Sequence, residues 1–134
     1  MPMSANATWM QWLAVAGGAA MGGVLRWRVG LWLNPVHGQG LMWGTLAVNA
    51  IGGLLVGVAL ASLARSTHSV AWLLLVTGFL GGLTTFSAFT AESLQLLQRQ
   101  QWLLALGHTL AHVFAALGFA VLGYALVRAI GGRP

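Results

Sequence analysis

The chain has 134 residues, of which 58% are apolar and 5% are charged, so a soluble fold would have too few polar residues to cover its surface. The expected surroundings are therefore lipid. At about 20 apolar residues per helical crossing, the chain has room for about four crossings and for no separate soluble domain. The net charge of +5 comes from arginines scattered singly, which argues against a nucleic-acid partner. The lack of cysteine excludes disulfides and thiolate metal sites.

Four apolar segments predict an all-α membrane protein with a single domain of four transmembrane helices that takes up residues 1–134. The predicted spans are about 9–33, 43–63, 70–97 and 102–127. The first segment has tryptophans near both of its ends, as membrane-interface anchors do. A cleavable signal peptide is the alternative for such a segment, but it would have a basic leader and a shorter apolar core.

The basic residues give no preferred orientation in the membrane. They divide equally between the two faces of a four-span arrangement: Arg26, Arg28 and Arg99 towards one face, and Arg65, Arg128 and Arg133 towards the other. Since arginines near short loops normally decide which face is cytoplasmic, this balance predicts insertion in both directions. Two opposed copies would then pair about a two-fold axis in the membrane plane. A charge balance that arose by chance is the alternative.

The third segment contains the run Gly-Phe-Leu-Gly-Gly-Leu-Thr-Thr-Phe-Ser-Ala-Phe at 78–89, which places glycines and hydroxyls in mid-span. Glycines weaken a helix there, and an interrupted helix in lipid needs partners for its freed amides and carbonyls. Freed carbonyls are able to ligate a cation. Phe86 and Phe89 share a helix face, and their partially positive ring edges are able to meet an anion. Ordinary close packing of helices is the alternative explanation for the whole run.

Three motifs follow one another along the chain. A glycine-rich run leads to Arg26, the second segment opens with Gly-Thr-Leu-x-Val-Asn-x-x-Gly at 44–52, and the third contains Gly-Phe-x-Gly-Gly-x-Thr-Thr-Phe-Ser at 78–87. With these motifs, essentially the whole chain resembles the Fluc family of fluoride channels, also called the CrcB family. Ala88 departs from the family pattern, which usually has threonine at that position.

The resemblance implies an antiparallel homodimer in the inner (plasma) membrane, with two pathways through which fluoride leaves the cytoplasm passively. It also implies a structural sodium ion that is not transported and lies on the two-fold axis. The ligands of this ion would be the backbone carbonyls of Gly81 and Thr84 from each subunit, in keeping with the preference of a hard cation for oxygen. Arg26 would either draw anions into a vestibule or brace the dimer.

The same resemblance implies which residues line the fluoride pathway. Asn49 would donate its amide to fluoride, and Phe86 and Phe89 would offer their ring edges. Thr85 and Ser87 would be hydroxyl donors nearby. Such a pore must replace the water around a small, tightly hydrated anion with several donors while staying too narrow for larger halides.

The fourth segment departs from the family, because His108 and His112 stand where members commonly have a tyrosine and a serine. The two histidines are four residues apart, so they lie on one helix face, and an imidazole can donate a hydrogen bond as a hydroxyl does. Three interpretations stay open: hydrogen bonding between helices, lining of the fluoride pathway, and a metal site for which the sequence offers no evident third ligand.

Glu92 is the sole acid, and an acid within a membrane segment is a functional candidate. It raises the alternative of a small proton-coupled exporter of cationic compounds, but such exporters have their acid in the middle of the first span. A non-conducting assembly subunit is another alternative, which would need neither Asn49 nor the spacing of Phe86 and Phe89. An enzyme is not expected, because the sequence has no Cys, Lys or Asp from which a catalytic constellation could be built.

Overall fold

The computed structural model describes residues 8–35, 40–63 and 69–131, and the regular elements within these ranges are helices. In chain order they are α1 (Trp9–Leu33), α2 (Trp43–Leu63), α3 (70–83), α4 (Phe86–Gln98) and α5 (Trp102–Ile130). Arg65 and Arg133, on which the orientation argument partly depends, lie outside the described residues.

Three stretches of the described chain are long and apolar enough to cross a membrane: Trp43–Leu63, Val70–Gln98 and Trp102–Ile130. The second of these stretches consists of α3 and α4 together. The protein is therefore an all-α, multi-pass membrane protein, as the composition predicts. That α1 also crosses the membrane, as a fourth span, stays a prediction.

The third apolar segment is interrupted, but the interruption follows the glycines instead of containing them. Gly81 is helical, with φ −62° and ψ −35°. Thr84 and Thr85 are extended, with φ/ψ of −80°/155° and −150°/118°, and α4 starts directly after them. Before the break, the turns over Leu73–Leu80 are π-helical, and the Gly81 N–H reaches back to the carbonyl of Val76. Wider turns of this kind frequently lie near functional sites.

Glycines bring α1 and α3 into backbone contact. A Cβ atom built on Gly18 would lie 2.7 Å from the Phe79 nitrogen, and one on Gly22 would lie 2.7 Å from the Leu83 nitrogen. On the other helix, a Cβ on Gly82 would lie 3.0 Å from the Ala19 Cα atom. The three glycines therefore allow close packing of the two helices. For Gly82, this is the alternative explanation that the sequence left open for the 78–89 run.

The pair α2 and α5 packs in the same way, with small residues at the contact. A Cβ on Gly53 would lie 3.2 Å from the Ala116 Cα atom, and one on Gly57 would lie 2.9 Å from the Tyr124 nitrogen. The buried side chains of Val48, Leu80 and Leu83 form a small core that joins α2 to the end of α3. This core holds the break after Leu83 beside the middle of α2.

We expect Gly18→Ala to lower the melting temperature of the detergent-solubilised protein, whereas Gly17→Ala should leave it unchanged or raise it. The added methyl group at Gly18 meets the backbone of α3, and overpacking of this kind costs about 1–3 kcal/mol. Among the residues that the structure describes, none outside the helix itself would lie within 4 Å of a Cβ atom built on Gly17, so alanine there only improves helix propensity. Equal melting temperatures for the two variants would contradict this account of the contact.

Candidate functional site

The side chain of Asn49 holds the break between α3 and α4. Its Oδ1 atom accepts a hydrogen bond of 2.8 Å from the Thr85 N–H, and its Nδ2 atom donates one of 3.1 Å to the Thr85 carbonyl. Thr85 is buried, and its hydroxyl accepts a hydrogen bond from the Ala88 N–H at the start of α4. One amide group thus satisfies both backbone polar groups of a residue that has left the helix in mid-membrane.

These hydrogen bonds release two carbonyls from their helical donors. In a continuous helix the Thr85 N–H would donate to the Gly81 carbonyl, and the Ala88 N–H would donate to the Thr84 carbonyl. Here the Thr85 N–H donates to Asn49 Oδ1, and the Ala88 N–H donates to the Thr85 hydroxyl. Gly81 and Thr84 both line a large groove of about 570 Å³, and Gly81 is exposed. Two residues whose carbonyls have lost their helical donors therefore line the groove, and carbonyl oxygens are ligands of hard cations.

Four rings from α4 and α5 form what we call the aromatic cluster: Phe86, Phe89, His108 and His112. The Phe89 ring is central, since its centroid lies 5.4 Å from that of Phe86, 5.3 Å from that of His108 and 5.0 Å from that of His112. The two imidazole centroids are 4.5 Å apart. Phe86 is 79% exposed and lies at the open end of the cluster, whereas His108 and His112 are buried.

Polar groups surround the buried end of the cluster. His108 Nε2 lies 3.1 Å from Glu92 Oε2, and His108 Nδ1 lies 3.1 Å from the Ser93 hydroxyl oxygen. The other carboxylate oxygen of Glu92 accepts a hydrogen bond from the hydroxyl of Thr45 on α2. The sole acid of the chain is therefore held on two sides within the protein.

His112 lies on the opposite side of the cluster, next to Asn49. Its Nδ1 atom is 3.3 Å from Asn49 Nδ2, at the long end of the hydrogen-bond range. Its Nε2 atom is buried and has no hydrogen-bond partner among the residues that the structure describes. A buried imidazole nitrogen without a partner is costly in lipid, so this atom is suited to a ligand.

The structure brings most of the predicted pathway residues together. Asn49, Thr85, Phe86, Phe89 and His112 all line the large groove. Ser87 is exposed, and its hydroxyl lies 3.2 Å from that of Thr85. The ring of His108 contacts that of Phe89.

Arg26 is half-buried on α1 and does not line the large groove. It also does not line a second, smaller cavity, which Glu92 and His108 line.

Thr45, Glu92 and Ser93 complete the site. The sequence marked Glu92 as a functional candidate without placing it beside the aromatic cluster, and it gave Thr45 and Ser93 no role there. Helical spacing was the available signal. Thr45 lies one turn before Asn49 on α2, and Glu92 and Ser93 follow Phe89 by three and four residues on α4. Each therefore shares a helix face with a residue that was already singled out.

The cluster lies between the large groove and the smaller cavity. His112 and Phe89 line the groove, whereas Glu92 and His108 line the smaller cavity together with Arg99. A line of polar and ring groups therefore runs from one cavity to the other through an apolar helical protein. The arrangement offers hydrogen bonds and ring edges to a small ion.

The fold and this site define a multi-pass membrane protein in which polar and aromatic side chains lie between two cavities. The family model described as "CrcB-like protein, Camphor Resistance (CrcB)" matches residues 13–124. The chain therefore belongs to the CrcB family.

Relatives named fluoride-specific ion channel FluC are similar over most of this chain. The protein from Aromatoleum aromaticum is 48% identical over 97% of this chain and 100% of its own length. The protein from Bordetella petrii is 46% identical over 90% of this chain and 94% of its own. The protein from Albidiferax ferrireducens is 47% identical over 83% of this chain and 85% of its own length.

Proposed function

We propose that this chain is the subunit of a fluoride-specific ion channel that lets fluoride leave the cytoplasm passively across the inner membrane and so lowers its toxicity. Family membership and the names of near full-length relatives support this function. The structural observation that carries it is the set of hydrogen-bonding groups and aromatic rings along the large groove, formed by Asn49, Thr85, Phe89 and His112.

Fluoride in this path would exchange its water for donors of the protein. Phe86, Phe89 and Thr85 line the groove, and the Ser87 hydroxyl lies 3.2 Å from that of Thr85. The Nδ2 atom of Asn49 donates one hydrogen bond to the Thr85 carbonyl. The same atom lies 3.3 Å from His112 Nδ1. This second, long contact is the one that fluoride would replace, so the ion would bind without loss of the hydrogen bond that holds the break.

The assembly we propose is an antiparallel homodimer in which α1 is the fourth crossing of each subunit. At 25 residues, α1 has a length of about 37 Å, which is enough to span a bilayer. In the single chain Gly81 and the ring of Phe86 are exposed beside the groove, so a second copy would cover them.

A structural sodium ion would lie on the two-fold axis of this dimer. The carbonyls of Gly81 and Thr84, released from their helical donors, would bind it from both subunits. The half-buried Arg26, which lies away from the groove, would brace the dimer or attract anions to a vestibule.

The exporter alternative depends on a carboxylate that is free to take up and release protons. Glu92 accepts a hydrogen bond from Thr45, faces His108 and does not line the large groove. These contacts give no support to a cation-binding acid in the groove.

We expect the purified protein in liposomes to release trapped fluoride and to retain chloride. Donors spaced for a small anion cannot replace the water around a larger halide in a narrow path. A fluoride-selective electrode measures the first ion and a chloride electrode the second, with protein-free liposomes as the control. Liposomes that hold the protein but keep their fluoride would refute the proposed function.

A further inference from the structure

One titratable group from α4 and two from α5 come together at the buried end of the aromatic cluster. One ligand atom each from Glu92, His108 and His112 lies within 4.8 Å of the other two. Nitrogen and carboxylate oxygen are the ligands that zinc and related ions take at about 2.0–2.2 Å, which separates tetrahedral ligands by roughly 3.4 Å. We propose that these three side chains form a binding site for a divalent transition-metal ion such as Zn²⁺. This site is separate from the carbonyls of the groove and does not depend on fluoride conduction.

The backbone already favours a chelating arrangement. His108 and His112 are one helical turn apart on α5, the spacing with which paired histidines bind zinc from a single helix. Glu92 Oε2 has come to 3.1 Å from His108 Nε2 although it belongs to a different helix. The three ligand atoms would have to approach from separations of up to 4.8 Å to roughly 3.4 Å, which requires a change in side-chain torsion angles.

Neighbouring groups hold the ligands as the outer shell of a metal site does. The Ser93 hydroxyl faces His108 Nδ1, so it would accept the proton of that nitrogen while Nε2 binds the metal ion. Thr45 donates to the carboxylate oxygen of Glu92 that does not face His108. The Phe89 ring packs against both imidazoles and restricts their rotation. Such partners reduce the ordering that binding would otherwise require.

His112 contributes the observation that most directly indicates a ligand. Its Nε2 atom is buried, and the described residues offer it no hydrogen-bond partner. Binding of an ion through Nε2 moves the ring proton to Nδ1 and gives up the contact with Asn49, which at 3.3 Å is long. The exchange replaces one weak hydrogen bond by a metal bond.

The ligand set suits a divalent transition-metal ion. Glu92 supplies one negative charge, and two neutral imidazoles would complete a set that imidazole-preferring ions such as Zn²⁺, Co²⁺ and Ni²⁺ favour. Glu92 and His108 line the smaller cavity beside Arg99, so an ion entering there would meet two of the ligands together with the positive charge of that arginine. A fourth position would stay open to water or to an anion.

The test is direct binding of Zn²⁺ and Co²⁺ to the purified full-length protein in detergent, without a polyhistidine tag and at neutral pH. His37 and His68, the other two histidines of the sequence, are replaced by glutamine in every sample. Calorimetry should then give one Zn²⁺ per chain, and Co²⁺ should show the absorption bands of a tetrahedral site. His112→Gln and Glu92→Gln should each weaken binding by roughly 100-fold or more, since loss of an outer-shell partner alone costs about 10- to 100-fold.

Thr109→Ala is the matched control, because Thr109 lies on the same helix and its hydroxyl donates only to the Ala105 carbonyl one turn back. It should bind Zn²⁺ as tightly as the starting protein. The proposal is overturned if the starting protein binds no Zn²⁺, or if His112→Gln, with its melting temperature unchanged, binds it equally well. If a variant fails to fold, the Co²⁺ spectrum of the starting protein decides alone: octahedral, oxygen-type bands would refute the site. Because no ion flux is measured, failure of the metal site and failure of the channel function are distinguishable.

Discussion

Asn49→Asp is expected to abolish fluoride efflux from liposomes. The carboxylate would lie at the edge of the groove, where it would repel an anion that the amide attracts. Two like charges about 4 Å apart repel by roughly 4 kcal/mol at the effective dielectric of a protein, which corresponds to about a thousandfold lower occupancy. The substitution also removes the Nδ2 donor that faces both the Thr85 carbonyl and His112.

A second asparagine provides the matched control. Asn34 follows α1, and its Oδ1 atom accepts a hydrogen bond of 2.7 Å from the Gly44 N–H. Asn34→Asp keeps that acceptor and adds the same charge outside the groove, so efflux should stay within a few fold of the unchanged protein. Both variants are compared by fluoride electrode at equal amounts of reconstituted protein. Undiminished efflux by a folded Asn49→Asp variant would remove Asn49 from the fluoride pathway.

The helices and the resemblance to the CrcB family could be predicted from the sequence, because each depends on residues that are close together along the chain. The two motifs that carry Asn49 and the Gly81 to Ser87 run were each visible as continuous patterns. Their pairing was not, because the hydrogen bonds from Asn49 to Thr85 connect residues 36 positions apart on different helices. No periodicity within either segment specifies that contact.

The position of the break illustrates the same limit. The glycines suggested an interruption from Gly81 to Thr84, yet Gly81 is helical and the chain leaves the helix only at Thr84 and Thr85. Glycine permits a break, but the competing partner decides where it forms. Here the partner is the Asn49 side chain, which takes the N–H that Thr85 would give to a continuing helix. Gly82 instead fits against Ala19 of α1.

The site at Glu92 was missed for a different reason. His108 and His112 were recognised as a pair on one face, and a metal site lacked a third ligand in the sequence. The missing group was the only acid of the chain, but its distance from the histidines depends on how α4 and α5 cross. The structure supplies that crossing and brings the Glu92 carboxylate to His108.

Gly81→Val is expected to abolish the proposed dimer and its sodium site while the single chain keeps its fold. A Cβ atom on Gly81 would have the Val76 carbonyl oxygen, at 3.9 Å, as its nearest neighbour, so the chain itself has room for a larger side chain. The proposed dimer does not, because the backbones of two copies must approach there for their carbonyls to share one ion. Fluoride efflux and its dependence on external sodium should therefore both be lost.

Thr84→Ala is the companion variant and should retain both properties. The Thr84 hydroxyl donates to the Leu80 carbonyl, which already accepts the Thr84 N–H, so its loss costs about 1 kcal/mol and leaves the Thr84 carbonyl in place. Gly82→Val is the opposite control. Its side chain would meet Ala19 within the same chain and should lower the melting temperature, which Gly81→Val should not do.

Orientation gives an independent measure of the same assembly. The sequence has no cysteine, so Gln101→Cys introduces a single label site in the exposed turn between α4 and α5. In cells, a membrane-impermeant thiol reagent should label about half of the copies from outside if both orientations are inserted, as the balanced arginines predict. Labelling of all copies or of none would exclude an antiparallel pair, and the carbonyls of Gly81 and Thr84 could then not meet across a two-fold axis. Efflux that survived complete replacement of sodium, with no sodium bound at the dimer axis, would refute the sodium site independently of orientation. The break would then serve only to place Asn49 and Thr85 beside the fluoride path.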